Sequence, residues 1–239
     1  MESSIAARGL GAVALCVLAT GCAAVTPVAY SEVASSAYMT PDTSDSSGRV
    51  PYRYAPPVEW RSYNKVMLDP VVIYRGADHQ FGDMSEKDKE TLAAYMQTRF
   101  ADKLRGRFTL VNTRGPNTFR LRLTLTGAVA NTPVLGTLSR FDLAGAVYNG
   151  VQAARDGEGT MTGSVIYAVE MFDSSTSRLL GAYVSKQYPN AYDIKASVGD
   201  LAAATAGIDK GADAFMAQTQ VRRASRVLKT IPAMKGPLP

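Results

Sequence analysis

The sequence contains one histidine, His79, two cysteines, Cys16 and Cys22, and a single tryptophan in 239 residues. A lone imidazole excludes a multi-histidine metal centre. Two cysteines exclude Cys-rich zinc sites and a disulfide scaffold. The G-x-S-x-G turn of serine hydrolases is missing, as is the phosphate loop G-x-x-x-x-G-K-[S/T],. No cofactor-binding pattern takes their place, so no cofactor is expected. Excess charge is also scarce. There are 26 Lys and Arg against 21 Asp and Glu, a net charge of +5 spread along the chain. That surplus is too small and too diffuse for a nucleic-acid binder.

What is present is ordinary for a globular protein: 46% hydrophobic and 20% charged residues,. The length suits one domain with appendages better than two domains. The first residues read as an export signal. Arg8 supplies positive charge, Gly9 to Ala19 is uncharged and mostly apolar, and small residues follow,. The apolar core is shorter than the ~20 residues that a membrane span needs.

Leu18-Ala19-Thr20-Gly21-Cys22 resembles the lipobox of bacterial lipoproteins. The resemblance implies cleavage after Gly21, a diacylglyceryl group on the Cys22 thiol and an N-acyl group on its new amino terminus. Acyl chains contribute ~0.8 kcal/mol per buried methylene, so two or three hold a protein firmly on a bilayer. Two other readings stand beside it: an ordinary cleaved signal leaving a free Cys22, and an uncleaved anchor running to Tyr30. Pro27 and the Gly, Thr and Ser content argue against the anchor. Cys16 would leave with the signal. Ala23, rather than Asp, follows Cys22; by resemblance to sorted lipoproteins of two-membrane bacteria this implies the outer membrane, facing the periplasm.

The chain then divides as follows. Residues 1–21 are the signal, and 22–57 are the lipidated Cys and a flexible tether. Residues 58–230 are one α+β domain, and 231–239 are a loose tail. The tether reading rests on Ser, Thr, Ala and Pro without periodicity. The 35 residues 23–57 would reach roughly 30 Å as a coil,. Tyr30, Tyr38, Tyr52 and Tyr54 are taken as ordinary linker residues. The tether is net −1, and the domain from Val58, with 23 basic and 17 acidic residues, is net +6.

Within the domain, Tyr63 to Tyr74 reads as a strand that Pro70 interrupts, which predicts an edge or a bulge. Ser85 is placed to cap a helix whose Leu92, Tyr95, Met96, Phe100 and Leu104 share a face and which Gly106 ends. Arg107 to Val111 is a short strand. Phe119 to Thr126 alternates strictly, with Phe119, Leu121, Leu123 and Leu125 on the core face and Arg120, Arg122, Thr124 and Thr126 opposite. Leu143 to Val151 suggests a short helix. Thr160 to Phe172 and Leu179 to Lys186 form a hairpin around Asp173 to Ser177. Ser197 to Leu228 is mostly helical. The order predicts an α+β fold: a mostly antiparallel sheet with two main helices packed on one face. Its first β-α-β unit can be parallel.

Three pieces, Lys65 to Val72, Phe119 to Thr126 and Val169 to Thr176 with the strand after it, together resemble DUF3313, a family of bacterial lipoproteins defined as a domain of unknown function. The similarity runs over most of residues 58–220. It implies an exported, membrane-tethered protein and supplies no reaction, ligand or catalytic residue.

Candidate chemistry is sparse. Asp78, His79 and Asp83 could touch one cation. Glu170 and Asp173 could form the paired acids of a glycoside hydrolase, against a reading in which Asp173 starts the turn and Glu170 lies on a solvated face. Arg120 and Arg122 share a strand face and could bind an anion through their planar forks, or could simply be solvated. Arg222, Arg223, Arg226 and Lys229 suit a helix C-terminus or anionic lipid. These residues form no catalytic set. The expected function is that of a lipid-anchored, non-catalytic envelope protein that binds another envelope component, protein or glycan. An envelope hydrolase and an anionic glycan- or lipid-binding module are the alternatives.

Overall fold

A computed structural model describes residues 25–130, 163–190, 193, 196 and 199–224, with side chains of the last helix through residue 219. Eight strands form one sheet: β1 Thr40–Pro41, β2 Tyr52–Tyr54, β3 Lys65–Leu68, β4 Val72–Ile73, β5 Thr109–Leu110, β6 Thr118–Val129, β7 Ser164–Asp173 and β8 Leu179–Gln187. Two α-helices, α1 Glu86–Arg105 and α2 Ala202–Ala224, pack on it. The strand order is β1-β2-β8-β7-β6-β3-β5, with β4 also on β6. The pairs β1–β2, β2–β8, β6–β7 and β7–β8 are antiparallel. Strand β3 runs parallel to β5 and β6, and β4 parallel to β6. The α+β class, the mostly antiparallel sheet and the parallel β-α-β unit agree with the sequence reading.

The strands form where apolar residues recur at every second position. Phe119, Leu121, Leu123 and Leu125 of β6 face the helices beside Tyr167, Val169 and Met171 of β7, and all are buried. Helix α1 begins where the Ser85 hydroxyl accepts from Asp88 N–H at 3.2 Å. It buries Leu92, Met96, Phe100 and Leu104 on the face the spacing predicts. Helix α2 approaches the sheet closely because Gly207 and Gly211, one turn apart, carry no side chain there. A Cβ on Gly207 would stand 2.7 Å from the Gln187 carbonyl oxygen, and one on Gly211 1.8 Å from the Tyr167 hydroxyl.

Pro70 acts as a bulge. Leu68 faces Leu121 and Val72 faces Thr124, so four steps on one strand span three on the other,. The extra residue breaks the predicted single strand into β3 and β4.

The tether reading is corrected between residues 25 and 57. That stretch is built into the fold. Strand β2 pairs with β8 along the sheet edge. Residues 25–41 run as a strap over the sheet face opposite the helices. There Tyr30, Val33, Met39 and Tyr74 bury Ile166, Ala168, Ala182 and Val184 in a second hydrophobic cluster. Tyr30 is 1% exposed, edge-on to Tyr74 with ring centres 5.4 Å apart. The physical reason is that the strap is irregular. Its backbone donors bond to side chains far along the chain, so no period marks it in the sequence. The predicted helix around Leu143 to Val151 lies outside the described residues.

Candidate ligand-binding cleft

Beyond the strap, the same sheet face opens into a cleft of about 630 Å³. Asp69, Arg120, Arg122 and Glu170 provide its charged groups; Val33, Val72, Ile73 and Tyr74 supply much of the apolar wall. The two-residue period of β6 puts both arginines on this face, and β7 sets Glu170 directly opposite Arg122. The Pro70 bulge carries Asp69 over the pair. Asp69 accepts from Arg120 Nε at 2.7 and 2.8 Å and from Arg122 Nε at 3.5 Å. These bonds, opposed by partial burial, raise the Arg120 guanidinium further above its usual range. Among the described residues, no hydrogen bond engages the Arg120 terminal amino groups. Arg122 Nη1 lies 3.8 Å from Glu170 Oε2.

Glu170 is buried, 1% exposed, which corrects its reading as a solvated side chain. The alternation of β7 does place it on the face away from the helices. The strap then covers that face, and Ser35 N–H donates to Glu170 Oε1 at 2.8 Å. Asp173 stands opposite Phe119, whose side chain faces the helices, whereas Glu170 stands opposite Arg122. The two acids therefore project from opposite sides of the sheet, and the paired-carboxylate arrangement is not formed. Asp173 is a turn residue as predicted. Its Oδ1 accepts from Ser175 and Thr176 N–H, and its Oδ2 from the Tyr63 hydroxyl at 2.8 Å.

The Asp78, His79 and Asp83 trio does not assemble. Asp78 latches the strap, accepting from Ser31 N–H at 3.0 Å and the Tyr74 hydroxyl at 2.6 Å. His79 leans on the Phe81 ring, 5.7 Å between centres. No group of three or more His, Cys, Asp and Glu able to hold a metal occurs among the described residues. Cys22, Gly21 and the side chains of Arg222, Arg223, Arg226 and Lys229 lie outside the described residues. Sequence reasoning missed Asp69, the carboxylate that organises the arginine pair. Its one signal was the Asp-Pro step inside a strand pattern.

A helix-backed mixed sheet, strapped on its other face by its own N-terminal segment, defines a small α+β domain with an open cleft that carries paired charges. The chain belongs to the family described as "Protein of unknown function (DUF3313)", whose model matches residues 29–215. The match begins inside the strap, in keeping with the strap being part of the domain. No curated protein matches the chain. Among solved structures it is similar to a variant PelC dodecamer from Paraburkholderia phytofirmans, at 8% identity and TM-score 0.36, over 72% of this chain and 93% of that one. It is also similar to protein XCC0632 from Xanthomonas campestris, at 8% identity and TM-score 0.34, over 74% of this chain and 95% of that one. Likenesses at that level carry no functional information.

Proposed function

We propose that this is a lipid-anchored cell-envelope protein, held at the outer membrane and facing the periplasm through acyl chains on Cys22. Its non-catalytic domain binds another envelope component. The observation that carries the reading is the order of parts: a short apolar signal, Leu18-Ala19-Thr20-Gly21-Cys22, then a folded domain in which Val25 already packs. Among the described residues, no helix is long and apolar enough to cross a membrane, which is compatible with attachment by lipid. The test is metabolic labelling with radioactive palmitate. The wild-type chain takes up label and Cys22→Ala does not; equal labelling of both would overturn the reading.

The cleft favours a more specific role, recognition of an anionic group such as a phosphate or carboxylate on a glycan. Arg120 and Arg122 lie side by side in it with side chains 28% and 31% exposed. Asp69 orients them through their Nε atoms but is itself an acid in the cleft with which an incoming anion must compete. A pull-down of envelope fragments should be salt-sensitive and lost in Arg120→Ala/Arg122→Ala. No capture at low salt would count against this role.

A further inference from the structure

We propose that the anionic group taken by the cleft carries a hydrocarbon chain. The ligand class is then an amphiphilic anion, such as the phosphate end of a lipid-linked glycan. This rests on the anion-binding role of Arg120 and Arg122 and names what the anion is joined to. The cleft is charged at one end and apolar at the other. Strand β6 presents Arg120, Arg122 and Thr124 in turn to the floor, because alternate residues share a face,. At the charged end Asp69 engages the Nε atoms of both arginines, and the Arg120 terminal amino groups have no hydrogen bond among the described residues. Toward Thr124 the character changes. Thr124 is buried, and Val72 of β4 lies directly beside it. One strand over and two residues along from Arg122, the Val72 Cα stands roughly 8 Å from that of Arg122. Ile73 follows it, and Val33 and Ala34 of the strap line the same cleft.

Val72 is 48% exposed, and among the described residues only Tyr38 and Val129 are large apolar residues left as open. It belongs to neither hydrophobic cluster, although Val71 and Ile73 on either side of it pack against the first. A single exposed valine is ordinary. This one continues an apolar wall that begins beside an arginine pair. The charges at that end do not make a second anion site. Arg75 is exposed and engaged by Glu86 at 2.5 Å, and Glu32 is an exposed acid. A second negative group would meet Glu32, whereas a hydrocarbon chain meets Val33, Val72 and Ile73. Sugar hydroxyls pressed on the same wall would lose water without gaining partners, which is costly. The volume of about 630 Å³ lies in the ~300–1,000 Å³ range of small-molecule sites, where apolar walls hold most of the ligand and a few polar groups orient it,.

The test is titration calorimetry of the full chain in phosphatidylcholine vesicles, with the heat of empty vesicles subtracted. The probes are inorganic phosphate and methyl, butyl and hexyl phosphate. Affinity should rise roughly two- to fourfold per methylene along the series. Val72→Ser should cut the hexyl-to-methyl ratio about threefold or more and leave inorganic phosphate unchanged, while Val72→Leu should keep the ratio. Because Val72 packs in neither cluster, its substitution should leave the urea midpoint in place. Tyr38→Ser, which removes an exposed apolar side chain outside this cleft, should leave the whole series as it was. Arg120→Ala/Arg122→Ala should weaken every member. Equal affinity across the series, or a Val72→Ser series as steep as that of the wild type, would overturn the amphiphile and leave the anion site standing. Failure of every member to bind, inorganic phosphate included, would overturn the anion role together with it.

Discussion

Ser35 and Glu170 are 135 residues apart in sequence, and the backbone N–H of the first donates to the buried carboxylate of the second at 2.8 Å. This bond pins the strap to the sheet at the inner edge of the cleft. Removing it should unfasten the strap. Glu170→Ala leaves the Ser35 donor unpaired and is expected to cost about 1.5–3 kcal/mol. Glu170→Gln, which keeps an acceptor, should cost less. Urea unfolding checks this through a lower midpoint at unchanged slope. Equal stability of the wild type and both variants would contradict the assigned role.

The strap should also behave as part of the core. Tyr30→Ala removes a buried ring and its 2.6 Å bond to Gln80 Oε1, and should cost about 3–5 kcal/mol. In the folded protein, trypsin should spare Arg49 and Arg53. Arg49 is buried, with its Nη1 donating to Gln187 Oε1 at 3.0 Å, and Arg53 lies in β2 with its Nε 2.8 Å from Asp42. Rapid cleavage there would restore the picture of a loose tether.

These two predictions show what could be read from the sequence. Strand β6 was legible because Phe119, Leu121, Leu123 and Leu125 alternate with polar residues over a half-covered surface. Helix α1 was legible because Ser85 caps it and four apolar residues recur at its period. The strap was not. Tyr30, Val33 and Met39 follow no period, and their partners lie tens of residues away. The alternation did place Glu170 on the face away from the helices, and it was taken as solvated only because the cover over that face was invisible. The arginine pair was found by its spacing, but Asp69 was not, since its position depends on the bulge that Pro70 makes.

Asp69 is expected to compete with any anion for Arg120 and Arg122. Asp69→Ala should raise low-salt affinity for inorganic phosphate by on the order of tenfold, by removing a like charge from the cleft. Adding Arg120→Ala and Arg122→Ala should abolish the gain. Because these groups are partly exposed, stability should change by less than about 1 kcal/mol. Calorimetry measures the binding, and no gain in Asp69→Ala would argue against an anion site.

Stability should fall at both ends of the pH scale, through one hydrogen-bonded pair. Burial alone would raise the Asp173 carboxyl, but bonds from Thr176, Tyr63 and Ser175 outweigh it and lower it. A lowered carboxyl gives stability that is present above its unfolded value near pH 3.9 and lost as the pH falls through the folded value. Burial first, and then the bond to Asp173, raise the Tyr63 hydroxyl to about 12. That contribution is whole below its unfolded value near pH 10 and is lost as the pH rises toward about 12. Tyr63→Phe should flatten the alkaline loss and shift the acid one toward higher pH. Unfolding midpoints measured across the pH range check both limbs.

The attachment itself is tested most directly by mass spectrometry of the N-terminal peptide of the mature protein from its native membrane. The account predicts Cys22 as the first residue, carrying a diacylglyceryl group on sulfur and an acyl chain on nitrogen. A peptide with an unmodified thiol at Cys22, or one still joined to Gly21, would contradict it.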